Sequence, residues 1–228
     1  MMKHINWQQY GFQNLLVWLF VYLVIGPFLS PIPYAPIIVH LLLSAVLFSA
    51  VYAVHRAKKG SRLSVILMAI TLVLYWLHIL GIVRYSGLLS HLIMSIYFAA
   101  LIRSFFMVVY RARRVTSNVI SAALCLYLII GLFWATVYAL LESLSPGSFS
   151  GELLKKTMSA GEHLHEFVYF SYITLTTLGY GDILPQTRGA TALCQAEAII
   201  GQFFIAVLVA RLVGIEASQK PSNEASDG

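Results

Sequence analysis

The residues with the most specific chemistry in this sequence form the run Thr177-Leu178-Gly179-Tyr180-Gly181. Two glycines alternate with bulkier residues, and glycine adopts backbone conformations of either hand. A backbone of alternating hand points successive carbonyl groups to one side, where their oxygens can replace the water shell of a cation. Four copies around an axis would stack such oxygen cages, and the Thr177 hydroxyl would add the innermost ring. This run therefore predicts cation coordination by backbone oxygens.

A short apolar and aromatic segment, His165–Thr176, comes directly before this run. At the helical rise it is only about 18 Å long, too short to cross a bilayer and too apolar for an ordinary loop. Irregular backbone is tolerated at membrane depth only inside protein or along a water-filled path. We therefore expect a re-entrant helix whose negative C-terminal dipole end favours a cation.

The composition places these residues in a membrane protein. Of the 228 residues, 59% are hydrophobic and 11% charged, whereas soluble domains have about half and a quarter. The mean hydropathy is +0.80. These values exclude most soluble enzymes, disordered chains and disulfide scaffolds. Apolar runs of spanning length predict six transmembrane helices, at Phe12–Leu29, Tyr34–Val54, Leu63–Val83, Leu88–Tyr110, Val119–Leu141 and Arg188–Gly214.

Charge asymmetry predicts the topology. The first 141 residues contain ten Lys or Arg and no acid, and their clusters at Arg56–Arg62 and Arg111–Arg114 should be cytoplasmic. Both termini are then cytoplasmic, and the connections Ser30–Pro33, Arg84–Gly87 and Glu142–Gln186 face outward. Topology control explains the basic clusters better than nucleic-acid binding does. Cys125 and Cys194 are expected at different depths, so we expect no disulfide between them.

The run Thr177–Asp182, together with Pro185 and the aromatic short helix, resembles the potassium-channel signature, with Leu178 where valine is usual. The resemblance extends from the fifth span to the end of the sixth. It implies an all-α integral membrane protein that is a homotetramer with a selectivity-filter loop. It also implies K⁺ as the permeant ligand at Thr177, Leu178, Gly179 and Tyr180, no cofactor and no enzymatic activity. The expected domains are a four-helix region at 1–114, a pore domain at 115–216 and a polar tail at 217–228.

The resemblance also implies roles around the filter. Asp182 would lie at the outer mouth, and Tyr169 and Phe170 where many members carry an aromatic cuff that braces the filter tyrosine. The Tyr180 ring would pack against the re-entrant helix. Ile173 lies where some members have a buried acid, and that acid is absent here.

The sixth span carries further candidate residues. The charged form of Glu197 would be energetically unfavourable in lipid. We expect Glu197 either to lie behind the filter near Thr174–Thr176, as a support together with Thr174 and Thr176, or simply to be neutral with its hydrogen bonds satisfied. Gly201 is either a gating hinge or a site of close helix packing. By helical spacing from Gly201, the inner cavity would be lined by Gln202, Ile205, Val209 and Val213.

The fourth span argues against strong voltage gating. Steep voltage dependence needs about three or four gating charges per subunit, and Leu88–Tyr110 contains one, Arg103. The short connection Arg111–Asn118 also suggests that the first four spans pack against their own pore domain.

Three alternatives remain beside a potassium-selective channel: a weakly selective cation channel of the same fold, a proton-coupled transporter or membrane enzyme, and a purely structural membrane subunit. The compact size favours a bacterial cytoplasmic membrane, in contact with lipid and without a recognisable protein partner. The sequence does not identify a gating stimulus.

Overall fold

The computed structural model describes residues 10–29, 34–57, 62–80, 86–154 and 163–217. Several predictions lie outside these residues: the turn Ser30–Pro33, the bases Lys58 and Lys59, the outer connection at Arg84, and the tail from residue 218 onward.

α-Helices make up most of the described chain. They are α1 (Tyr10–Phe20), α2 (Gly26–Phe28), α3 (Ala35–Ala57), α4 (Arg62–Ile79), α5 (Ser86–Tyr110), α6 (Ser117–Leu144), α7 (Leu164–Leu175) and α8 (Arg188–Ala217). A π-helical turn, Val21–Ile25, joins α1 to α2. It directly precedes Gly26 and Pro27, where the proline supplies no N–H to a regular helix.

The observed helices match the predicted spans closely, because long apolar runs dominate both. Within the described residues, five helices are long and apolar enough to cross a membrane, and they correspond to the first, second, fourth, fifth and sixth predicted spans. The third prediction corresponds to a shorter apolar helix, Ser64–Ile79. The molecule is thus mostly helical, with several apolar helices of spanning length.

A two-stranded β-sheet lies within the otherwise helical chain, in the connections that flank α7. Strand β1 (Phe149–Gly151) pairs antiparallel with β2 (Ile183–Pro185), with Ser150 opposite Leu184. The Glu142 carboxylate accepts hydrogen bonds from the backbone N–H groups of Gly147 (2.7 Å) and Phe149 (3.1 Å). These bonds turn the chain back after α6, and the Phe149 side chain is buried.

Helix α6 lies at the centre of the packing, in contact with α1, α5, α7 and α8. Its first turn is capped by the Thr116 hydroxyl, which accepts a hydrogen bond from the Val119 N–H. Only residues 111–116 connect α5 to α6. This short connection keeps α5 beside α6 within one chain, and α1 also packs directly on α6. How the helices pack in an assembly stays a prediction.

Candidate cation-coordination site

The backbone of Thr177–Gly181, here called the filter run, alternates in hand. Thr177, Gly179 and Gly181 have φ values of +59°, +56° and +80°, so every second residue lies in the left-handed region. Sequence analysis assigned this freedom to the two glycines and missed Thr177. A β-branched residue at positive φ is an outlier that the surrounding structure must hold in place.

Helix α7 anchors the inner end of the filter run through its last carbonyl groups. The Ile173 carbonyl accepts hydrogen bonds from the N–H groups of Leu178 (2.8 Å) and Gly179 (3.2 Å), and the Thr174 carbonyl accepts one from Thr177 (2.9 Å). Carbonyls in the last turn of a helix lack partners within the helix, so these bonds satisfy them. The helix C-terminus, which carries partial negative charge, thereby lies directly at the filter run.

The side chains of the filter run are open within one chain. Leu178 is 55% exposed and Tyr180 is 67% exposed. The expected packing of the Tyr180 ring against the re-entrant helix is therefore not made within a single chain. The Thr177 hydroxyl accepts a hydrogen bond from the Gln202 amide at 3.3 Å, which links the inner end of the run to α8.

The outer end of the filter run is held by Asp182. The Tyr169 hydroxyl donates to the Asp182 carboxylate at 2.5 Å, and the other carboxylate oxygen accepts from the Ile183 N–H at 3.0 Å. The bond to Asp182 is the main cause that raises the pKa of Tyr169 to about 12. Tyr169 therefore stays a protonated donor at neutral pH, and Asp182 joins α7 to β2.

Phe170 lies away from the filter run. Its ring is buried, with centroids 5.3 Å from Tyr138 and 5.7 Å from Phe149. One residue corresponds to about 100° of rotation around a helix, so Tyr169 and Phe170 face different sides of α7. Within one chain Phe170 therefore fastens α7 to α6 and β1, and Tyr169 bonds to Asp182; an aromatic cuff around Tyr180 stays a prediction.

Glu197 is completely buried where α6, α7 and α8 meet. One carboxylate oxygen lies 2.5 Å from the Ser171 hydroxyl, and the other accepts a hydrogen bond from the Tyr138 hydroxyl. Its partners are therefore Ser171 and Tyr138 and not Thr174–Thr176. Both were missed from the sequence, although serine and tyrosine within apolar helices are a signal for buried hydrogen bonding.

The two threonines named as filter supports act through the backbone. Thr174 contributes its carbonyl to the filter run, as described above. The Thr176 hydroxyl donates to the Tyr172 carbonyl of its own helix at 2.7 Å, so it closes the last turn of α7.

Two glycines allow α7 to approach its flanking helices closely. A Cβ at Gly201 would overlap the Leu175 carbonyl oxygen, and one at Gly131 would lie 2.5 Å from the Tyr172 ring. Helix α8 runs without interruption through Gly201. This geometry supports the close-packing interpretation of Gly201. The Tyr172 hydroxyl adds a hydrogen bond across to the Leu128 carbonyl of α6 at 2.6 Å.

The predicted cavity residues share one property: all are exposed within a single chain, as expected for side chains that line a pore or meet another copy. They are Gln202, Ile205, Val209 and Val213.

Near the C-terminal end of α8, sequence analysis missed Arg211. Its guanidinium donates to the Tyr110 carbonyl at the end of α5 and lies 3.4 Å from the Ala112 carbonyl and 4.9 Å from the centre of the Tyr110 ring. A cation at a helix C-terminus is stabilised by the helix dipole. Arg211 therefore fastens the C-terminal end of α5 to α8.

The described residues offer no other site of this kind. They contain no group of three or more His, Cys, Asp or Glu side chains able to hold a metal ion, and their cysteines, Cys125 and Cys194, are unpaired. The chemistry available here is coordination by backbone and hydroxyl oxygens, which suits hard cations.

Comparison with known proteins agrees with this chemistry. Residues 122–216 match the family model described as Ion channel. Over 76 aligned residues the chain is 33% identical to the potassium channel protein kcv of Paramecium bursaria Chlorella virus 1. The aligned segment is 33% of the length of this chain and 80% of the length of the viral protein. No solved structure matches.

The chain is thus an integral membrane protein of an ion channel family, which is not an enzyme family. Within that class it belongs to the potassium channel pore-domain family.

Proposed function

We propose that this chain forms a homotetrameric, potassium-selective channel that conducts K⁺ passively across the membrane. The observation that carries the proposal is the alternating hand of the filter run, with positive φ at Thr177, Gly179 and Gly181. Backbone of this kind presents successive carbonyl oxygens as rings that replace the hydration shell of K⁺. The viral relative, whose name describes a potassium channel, supports the same ion.

Burial within the chain supports an assembly around α8. Only 6% of the spanning window of α8 is buried inside one chain, compared with 61% for α6. Helix α8 is the least buried of the five long helices within the described residues, and its exposed side chains include Phe203 and Val207. Four copies would cover this face and the open side of the filter run, while Gln202, Ile205, Val209 and Val213 line an inner cavity.

The remaining features of the proposal concern topology and gating. In this proposal the chain has six spans, including α4, and both termini lie in the cytoplasm of a bacterial cell. The first four spans form a domain at 1–114, and residues 115–216 form the pore domain. K⁺ is the permeant ligand, at Thr177–Tyr180, and no cofactor takes part. Asp182 lies at the outer mouth. With one arginine in α5, voltage gates the channel weakly or not at all.

The experiment that tests this proposal measures the reversal potential of the purified protein in planar bilayers, with K⁺ on one side and Na⁺ on the other. We expect reversal near the K⁺ equilibrium value. Gly179→Ala should abolish current or selectivity, because a side chain at positive φ costs about 1–2 kcal/mol in each subunit. Gly189→Ala is the matched control, since a Cβ there meets nothing within 4 Å.

Two outcomes would contradict the proposal. Reversal near zero would indicate the weakly selective cation channel, and Leu178→Val would then test whether the departure at Leu178 is the reason. Absence of current together with a monomeric mass in detergent would reject the tetrameric pore.

A further inference from the structure

The Ser171 hydroxyl makes two short contacts, one with the Gly131 carbonyl and one with Glu197. If the Glu197 carboxyl group is ionised, only one proton is present for these two contacts. The Ser171 hydroxyl lies 2.7 Å from the Gly131 carbonyl and 2.5 Å from one Glu197 oxygen. The carbonyl can only accept, so the single serine proton belongs to that bond. A second proton is then needed between Ser171 and Glu197, and only the carboxyl group can supply it.

The surroundings of Glu197 also favour the neutral acid. Its exposed fraction is 0%. Within the described part of the chain, the hydrogen-bond partners of Glu197 are Ser171 and Tyr138, and no Lys, Arg or His side chain forms an ion pair with it, so no cation balances Glu197. An ionised carboxylate buried without a cation is strongly unfavourable. Its second oxygen already accepts the Tyr138 proton.

We infer that Glu197 is a neutral carboxylic acid that positions the filter. It is the central member of a series of hydrogen bonds that all have the same donor direction, from Tyr138 through Glu197 and Ser171 to the Gly131 carbonyl. In this series, Tyr138 donates to Glu197, Glu197 donates to Ser171, and Ser171 donates to the carbonyl. The Cys194 thiol, which also hydrogen-bonds to the Tyr138 hydroxyl, acts as donor to the tyrosine oxygen in this arrangement. Each hydroxyl proton then has one acceptor, and α6, α7 and α8 are tied together at one point.

The consequence for the filter follows from the place of Ser171 in α7. Ser171 lies two residues before Ile173, whose carbonyl holds the N–H groups of Leu178 and Gly179. The hydrogen bonds of this series fix Ser171 against both flanking helices. They therefore also fix the Ile173 carbonyl, which accepts the hydrogen bonds of the filter run. The hydrogen bonds of Glu197 go to Tyr138 and Ser171 and not to the filter run, so Glu197 acts as a positioning residue. This consequence rests on the proposed function, whereas the protonation state does not.

Infrared spectroscopy tests the protonation state directly. In the difference spectrum between the wild-type protein and Glu197→Gln at neutral pH, we expect the C=O stretch of a protonated carboxylic acid. The bands of an ionised carboxylate in its place would overturn the inference, whatever the protein conducts.

Bilayer recordings test the positioning role. The glutamine amide can place an N–H donor where the neutral acid has its O–H and a carbonyl oxygen where the acid has its C=O, so Glu197→Gln should keep the K⁺/Na⁺ permeability ratio of the wild type. Glu197→Leu keeps the approximate volume but neither bond, and the ratio should fall by about tenfold or more. Equal loss in both variants would show that the charge matters and would contradict the inference.

Two milder variants guard against a failure of Glu197→Leu to fold. Tyr138→Phe and Ser171→Ala each remove one link and should lower the permeability ratio, while Tyr127→Phe should not. Tyr127 lies on the same helix as Tyr138, and its buried hydroxyl has no hydrogen-bond partner within the described part of the chain. Unchanged selectivity in Tyr138→Phe and Ser171→Ala would contradict the positioning role. A wild type without K⁺ selectivity would reject the proposed function and leave the infrared result to stand.

Discussion

The two halves of this molecule use polar side chains differently. In the half made by α6, α7 and α8, buried polar groups link different helices, as Glu197, Ser171 and Tyr172 do. In the half made by α1–α5, many hydroxyls bond to a carbonyl one turn earlier in their own helix. Examples are Ser44, Thr71 and Ser104.

The described residues of the N-terminal half also contain links between helices that are made by neutral groups. The His40 ring lies 2.6 Å from the Tyr75 hydroxyl, Trp76 donates to Ser44 at 3.2 Å, and Tyr97 donates to the Leu47 carbonyl at 2.6 Å. Oxygen atoms that coordinate an ion must be held within about 0.5 Å, and directional bonds between helices provide this. A bundle that mainly shields apolar surface has no such need.

Few polar contacts connect the two halves. Arg211 joins α8 to the end of α5, and the Ser95 hydroxyl donates to Thr136 on α6 at 2.9 Å. The comparison therefore predicts large effects for changes at the close contacts of α7 and small effects for changes on α5.

The largest effect is expected at Gly201. Gly201→Ala places a methyl group onto the Leu175 carbonyl, and overpacking of this kind costs about 1–3 kcal/mol. This cost exceeds the gain of about 1 kcal/mol from replacing glycine inside a helix. We expect a lower melting temperature of the purified protein in detergent.

Gly214→Ala on the same helix is the matched control, because a Cβ there meets nothing within 4 Å. It should keep or raise the melting temperature through helix propensity alone. If Gly201→Ala were as stable as Gly214→Ala but changed gating, Gly201 would be a hinge and not a packing site.

The difference between the halves also explains what the sequence could predict. Helix positions follow from apolar runs, because burial in lipid or protein dominates every span; α8 was expected at Arg188–Gly214 and occupies Arg188–Ala217. The filter run was recognisable because its glycine spacing fits a backbone that few sequences adopt. Both signals are local in the chain.

The contacts between helices could not be predicted in the same way. Neighbouring residues of a helix point about 100° apart. An error of one residue in the predicted orientation of α7 therefore exchanges Tyr169 for Phe170 as the residue that faces Asp182. Likewise, the partners of Glu197 depend on how α6, α7 and α8 meet. The β1–β2 pair was missed because it joins segments on opposite sides of α7.

An intermediate effect is expected at the outer end of the filter run. Tyr169→Phe removes the bond to Asp182, which in this partly exposed position contributes about 1 kcal/mol. We expect the K⁺ current of this variant to decay faster than that of the wild type during recording at constant voltage, because the outer end of the filter run is held less firmly. In a double-mutant cycle with Asp182→Asn, the second change should add little, because the bond is already lost. Fully additive effects would show that the two side chains act independently.

This contribution should also depend on pH. The bond raises the pKa of Tyr169 from 10.0 to about 12, so it favours the protonated form of the folded protein. The stabilisation is complete below pH 10 and is lost as the pH rises through about 12. A fall in melting temperature over this window that is smaller in Tyr169→Phe would identify the group.

The smallest effect is expected at Arg103, in the half without acids. Its side chain is exposed, and substitutions at such positions change stability by about 0.5 kcal/mol or less. Arg103→Gln should leave both the melting temperature and the dependence of open probability on voltage unchanged. One charge per subunit moving through the whole field contributes only about 2.3 kcal/mol per 100 mV, whereas steep gating needs about three or four charges per subunit. Recordings in which the wild type opens steeply with voltage and Arg103→Gln does not would show that α5 senses the field, and the two halves would then be coupled far more tightly than their few polar contacts imply.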